Sequence, residues 1–396
     1  MKNKNKMLLL LGLMAFLANG DNYAAAPLLL NIARDLNLNI ETASISVTAY
    51  MLAFGAFTLM FGPLSDRFGK VRVINIAAIG TAIFSILGGF AYDLPSLVFF
   101  RAVNGAFAAG IFPVTMALVG QNFNDENRQK ALGKVMGLMF LGGATATAVG
   151  GALAYFGSWR LVYIIYGAGE LVLALFLLKM LEKDQPVVAK LNYITAYREP
   201  LSNFRFMRLV LTIFFVGFSV FGTFTYSGKL LQEITGYQVL GVGLILSLFG
   251  VGTVSGGRIA PKIRKRTGSL YFIISGVIGF CGLYALSASR SIYILSLGLF
   301  FFGTAFIFLQ STLVAAAQEM LPKTKGTAMS LASFNMFVGG AVGTSVNAKI
   351  IGSVGIAKIY VPASILILLV GFTTSLLLRK SQGNLKEAEP ADNRAL

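Results

Sequence analysis

The sequence predicts an all-α membrane protein of twelve transmembrane helices in two six-helix halves. Three observations carry that reading. Of 396 residues, 56% are hydrophobic and only 12% charged, with a mean hydropathy of +0.74; a soluble domain carries roughly 25% charged residues. Apolar runs of about 20 residues, the length of a bilayer crossing, recur twelve times along the chain. The longest polar connection follows the sixth run and divides the chain nearly in half. The 44 glycines and ten prolines lie scattered through apolar runs, which membrane helices accept more readily than soluble ones. A soluble enzyme is excluded.

The first run, 7–31, follows "MKNKNK" and opens like a signal peptide, but it continues past Pro27 without a cleavage site. It reads as a retained span. Runs at 43–62, 72–91, 95–120, 131–155 and 160–180 complete a first half, residues 1–180. Residues 181–206 contain the polar, basic stretch "EKDQPVVAKLNYITAYREP" and read as a linker. Runs at 207–228, 238–259, 269–288, 292–317, 326–349 and 356–378 form a second half, 207–380, and 381–396 reads as a disordered tail. All twelve are expected to be helices, because backbone exposed to lipid must satisfy its own hydrogen bonds.

The net charge is +17, yet the basic residues sit in short loops between apolar runs and not on one face or tail. That distribution argues against a nucleic-acid partner and for an orientation signal. With the N-terminus inside, 26 Lys and Arg lie on the inner side. Six lie outside (Arg34, Arg160, Lys229, Arg290, Lys349, Lys358). Both termini are therefore expected on the cytoplasmic side. A faint repeat links "GPLSDRFGKVR" (62–72) after the second span with "TVSGGRIAPKIRKR" (253–266) after the eighth, Arg67 matching Arg258. Parallel halves of this kind place a binding site between them near the bilayer midplane.

Three ionisable residues lie deep in the spans: Asp21, Arg101 and Glu170, all in the first half. Each costs several kcal/mol there unless something offsets it. Arg101 cannot be discharged, so it must meet an anion, backbone carbonyls or a water-filled cavity; Asn104 and Gly105 share its helix face. Glu170 follows Gly167 and Gly169 halfway along its span and is read as a second proton site, an anion for a cationic substrate, or a structural group. The chain has no histidine and a single cysteine, Cys281, so proton chemistry falls to carboxylates and no metal or cofactor is implied.

"GPLSDRFGKVR", with Gly62, Asp66, Arg67, Gly69 and Arg72, resembles the signature loop of the major facilitator superfamily. "LVFFRAVNGAFAA" (97–109), carrying Arg101 and Gly105, resembles the fourth-span motif of that family's proton-antiporting branch. "GGATATAVGGAL" (142–153) keeps the Gly150–Gly151 pair of the antiporter fifth span, but Ala146 and Thr147 stand where Gly-Pro is usual. Asp21, Pro27 and "IARDL" (32–36) parallel the first span of drug and metabolite exporters. The resemblance implies the major facilitator fold, a signature loop that gates the conformational change, and first and fourth spans that line a cavity. On that arrangement Arg101 is expected to hold Asp21 ionised until the switch between inward and outward states parts them and Asp21 takes a proton. In the loop, Asp66 is expected to meet a helix N-terminus or an arginine and to latch the halves together.

The expected cavity wall comprises Asn19, Asn22, Phe54, Phe57, Asn104, Phe214, Phe218, Phe221, Tyr226, Gln310 and Asn335. Aromatic walls with few fixed polar groups suit amphipathic or lipophilic ligands. The single tryptophan, Trp159, is expected to anchor the membrane interface, with Lys229 and Glu233 at the outer rim. No GxxxxGK[ST] pattern occurs, which argues against ATP as the direct energy source. The expectation is a monomeric, proton-coupled exporter of drugs or small amphipathic metabolites in a bacterial plasma membrane. The alternative is a proton symporter or facilitator importing a nutrient.

Overall fold

The computed structural model describes residues 2–123, 125–182, 184–185, 193–321 and 325–387. Every regular element among them is helical. The first half contains α1 (Lys2–Asp35), α2 (Ile40–Ala43), α3 (Ile45–Phe68), α4 (Lys70–Gly89), α5 (Leu94–Ala108), α6 (Phe112–Asn122), α7 (Asp125–Phe156) and α8 (Trp159–Met180). After the linker helix α9 (Tyr193–Ser202), the second half contains α10 (Phe204–Thr235), α11 (Val239–Thr267), α12 (Leu270–Ala288), α13 (Ile292–Met320), α14 (Lys325–Val354) and α15 (Tyr360–Glu387). Twelve stretches are long and apolar enough to cross a membrane, α2–α3 and α5–α6 each counting as one. The start of α1, the linker helix α9 and the end of α15 therefore lie at one end of the bundle, here the linker end; the opposite end is the far end.

Helix boundaries follow local chemistry. Asp93 caps α5 in a reciprocal box with Ser96, accepting its N–H at 2.9 Å. Ser158 caps α8, Asn203 caps α10, and Gly236, left-handed at φ +70°, closes α10. The fourth span departs from expectation, because its helix breaks at 109–111 and restarts as α6 with Pro113 in its first turn. Proline supplies no N–H to continue the preceding helix. The linker is not wholly irregular either: α9 forms within it, and Tyr197 donates to the Leu59 carbonyl of α3 at 2.7 Å. The remainder of the expected linker, 186–192, and the end of the expected tail, 388–396, lie outside the described residues.

Small residues set the closest helix approaches. A side chain on Gly105 of α5 would run into the Tyr50 carbonyl of α3. At the far end, a Cβ on Gly151 of α7 would fall 2.7 Å from the Val239 carbonyl of α11. Gly150 packs on Ala24 of α1, so the Gly150–Gly151 pair seats α7 against its own half with one residue and against the second half with the other. On the same side of the bundle, Tyr226 lies 2.8 Å from Ser44 Oγ and 2.9 Å from the Thr344 carbonyl. Lys229 Nζ is 3.9 Å from Glu41 and 3.7 Å from Glu233. The halves therefore touch at the far end.

Candidate transport site: a buried ion pair beside a central cavity

Helices α1, α5 and α8 bring Asp21, Arg101 and Glu170 into one buried cluster, each at most 1% exposed. Arg101 Nη1 donates to Asp21 Oδ2 at 3.2 Å, Asp21 Oδ1 at 3.3 Å and Asn104 Oδ1 at 3.1 Å. Asn104 is held in turn by the Thr81 carbonyl and hydroxyl of α4, at 2.9 and 3.0 Å from its Nδ2. The guanidinium packs on two rings, its carbon 4.3 Å from the Tyr50 centroid and 5.0 Å from that of Tyr163. Desolvated cation–π contacts contribute up to about 2 kcal/mol each. Arg101 Nη2 and both Glu170 carboxyl oxygens find no hydrogen-bond partner among the described residues. Two carboxyl groups thus flank one guanidinium, and only one of them is engaged.

Beside this cluster is a cavity of about 110 Å³ between the halves. Its wall comes from α1, α3, the α5–α6 break, α7, α10, α13 and α14. Of the expected residues, Asn19, Asn22, Phe54, Phe221 and Gln310 line it. The other six do not. Phe57 is turned to the apolar exterior, 40% exposed. Asn104 is committed to Arg101 and Thr81. Phe214 and Phe218 pair with each other along α10, where it packs on α14. Tyr226 is occupied in the far-end contact, and Asn335 Nδ2 donates back to the Leu331 carbonyl of its own helix.

Several lining residues escaped the sequence reading, notably Tyr23, Tyr50, Met139, Phe306, Met336 and Phe337. Helical spacing marks half of them: Tyr23 is i+4 from Asn19, Tyr50 is i−4 from Phe54, and Phe306 is i−4 from Gln310. Among the residues lining the cavity there is no Asp, Glu, Lys or Arg. Its polar points are neutral: Asn19 Nδ2 donates to the Met139 carbonyl at 2.9 Å, and Gln310 Oε1 has no partner among the described residues.

The signature loop differs from expectation. Asp66 pairs with Lys70 at 3.1 Å, within its own half, and Lys70 is 2% exposed. The N-terminus of α4 is met instead by Asp184, which accepts from the Lys70 and Val71 N–H groups at 2.7 and 2.9 Å. Gly69 starts that helix at φ +87° and has no side chain with which to cap it. Arg67 packs over Phe68, Arg72 is exposed, and Gly62 faces Ser330 of the second half. Trp159 is a second correction: it is 2% exposed, and its Nε1 donates to Asp35 at 3.1 Å beside the Arg160–Asp35 pair.

Two six-helix halves around a central cavity, with a charged cluster walled off behind it, define a membrane transporter of the two-half kind. The chain belongs to the Major Facilitator Superfamily, whose family model matches residues 11–344. An MFS-type transporter of Bacillus subtilis, YceJ, is 25% identical over 336 residues, 84% of this chain and 85% of that one. The puromycin resistance protein pur8 of Streptomyces alboniger is 33% identical over 156 residues, 39% of this chain and 31% of that one. Among solved structures, the nucleoside transporter NupG superposes with a TM-score of 0.78 at 15% identity, covering 94% of this chain and 99% of that one. A bacterial homologue of the human lysosomal transporter Spinster, in an inward-facing, unoccupied conformation, superposes at 0.74 with 18% identity, covering 95% and 97%.

Proposed function

We propose that this transporter exports amphipathic molecules from the cytoplasm of a bacterial cell in exchange for protons, by alternating access of its two halves. The carrying observation is the Asp21–Arg101 pair with the unpartnered Glu170 beside it, buried next to a cavity that offers no charge of its own. A carboxyl group that exchanges a cationic partner for an apolar wall is a proton carrier. Arg101 holds Asp21, Glu170 supplies a second carboxyl group, and Asn19, Asn22, Phe54, Phe221 and Gln310 meet the cargo. The loop residues Gly62, Asp66, Arg67, Gly69 and Arg72 act in the conformational change.

The bias of Lys and Arg toward the linker end supports a cytoplasmic placement of that end, in a multi-pass protein that we propose works as a monomer in the plasma membrane. The cavity then faces inward, ready to load. The relative named for puromycin resistance favours export. The absence of proline from α7 favours the second reading, proton-coupled or facilitated import, because the antiporter fifth span usually carries one.

The test is proton movement in everted membrane vesicles energised to be acid inside, with puromycin and tetraphenylphosphonium as probes. Probe-triggered collapse of the gradient in wild type, lost in Asp21→Asn, supports proton exchange through Asp21. A normal response in Asp21→Asn and a lost one in Glu170→Gln would move the carrier to Glu170. A wild type that moves no protons with any amphipathic probe, yet takes up solutes driven by membrane potential, would favour import.

A further inference from the structure

We propose that Tyr50 couples occupation of the cavity to the state of the Asp21–Arg101 pair, an inference that rests on the proton-coupled reading above. Tyr50 belongs to both sites. Its ring lies 4.3 Å from the Arg101 guanidinium carbon, and it also forms part of the cavity wall. Tyr163 also packs on the guanidinium, at 5.0 Å, but it is 1% exposed and is not among the residues lining the cavity. Tyr50 is therefore the cover on the cavity side.

From Tyr50 a line of rings crosses the cavity. Phe54 is 6.0 Å away, Phe54 stacks on Phe337 of the second half at 3.9 Å, and Phe337 stacks on Phe221 at 5.5 Å. Cargo that seats against this stack displaces the Phe54 ring from Phe337. That displacement reaches Tyr50 one helical turn away on the same face of α3. Its backbone cannot follow, because the carbonyl of Tyr50 is already in contact with Gly105. The ring must turn instead.

Once it turns, Arg101 loses its cavity-side cover. The groups facing that guanidinium are Asp21 from α1, Asn104 from its own helix, and Tyr163 from α8, with Glu170 of α8 in the same cluster. Its Nη2, unpartnered among the described residues, can then donate to water or to a second carboxylate, and Asp21 is no longer held alone. An empty cavity keeps the ring closed and the proton site sealed. That arrangement prevents protons from leaking through when no cargo is bound.

The experiment uses the full-length protein in everted vesicles acidified inside, with puromycin and tetraphenylphosphonium as probes. Tyr50→Leu is expected to dissipate the pH gradient several-fold faster than wild type without any probe and to lose the probe-triggered increment. Counterflow of radiolabelled puromycin in de-energised vesicles is expected to fall far less than the probe-triggered proton movement. Tyr50→Phe, which keeps the ring, is expected to remain coupled. Tyr50→Met, which fills the volume without a π face, serves if the leucine variant is not recovered from membranes. Coupling in these ring-less variants equal to wild type would overturn the inference and leave the proton-exchange reading standing. Loss of counterflow together with coupling would make Tyr50 an ordinary binding wall and overturn it as well. A wild type without probe-triggered proton movement would overturn both.

Discussion

Arg101 carries more of the first half than one side chain usually does. A single nitrogen, Nη1, holds both Asp21 and Asn104 while two tyrosine rings cover the cation. Removing it strands a buried carboxylate, so Arg101→Met is expected to lower stability by about 3–5 kcal/mol. Thermal unfolding in detergent, followed by the fluorescence of Trp159, measures this. The double variant Asp21→Asn/Arg101→Met is expected to regain part of that loss, since the pair is then absent. Strict additivity of the two single losses would mean that the residues do not act as a pair. The need for such a pair was legible from Asp21 and Arg101 standing in apolar runs. That Asn104 would be spent on Arg101 and not on cargo was not legible, because helix spacing gives a shared face and not the partner facing it.

At the scale of single elements, glycine and one distant carboxylate decide how helices meet. Gly105 lets α5 lie against the backbone of α3 at Tyr50. Gly105→Val is expected to cost about 1–3 kcal/mol through overpacking and to disturb proton coupling before cargo binding. Paired measurements of melting temperature and coupled proton movement check this. The start of α4 depends on Asp184, 114 residues downstream of the Lys70 N–H it accepts. Asp184→Ala leaves two helix N–H groups without their anion and is expected to cost about 1–3 kcal/mol. Limited proteolysis of the linker should then be faster. If Asp184→Ala proves neutral in both assays, water replaces the carboxylate at no cost.

Over the whole molecule, the far-end contacts bias the equilibrium between the two access states. Tyr226 bridges α10, α14 and Ser44 at the start of α3, and Glu41–Lys229 adds a longer ionic contact between the halves. Tyr226→Phe removes one hydrogen bond of about 0.5–1.5 kcal/mol, which shifts the population roughly two- to tenfold away from the state with the far end closed. The check uses Met329→Cys in a Cys281→Ser background, Met329 lining the cavity and Cys281 being exposed. Thiol labelling from the linker end should slow, by at most that factor. Unchanged labelling would mean that packing of Gly151 against Val239, not the tyrosine, sets the balance.

The sequence by itself determined the twelve spans, the charge asymmetry, the superfamily and the three buried ionisable residues. Each follows from local cost: apolar length, unmade backbone hydrogen bonds, and charge placed in hydrocarbon. Only the tertiary structure decided which aromatic residues face the cavity, that Trp159 is buried against Asp35, and that Asp184 rather than Asp66 meets the start of α4. Those outcomes depend on how helices rotate about their axes and which distant segments they meet. A helix that is apolar all round, as these are, carries little periodic signal to say which face turns inward.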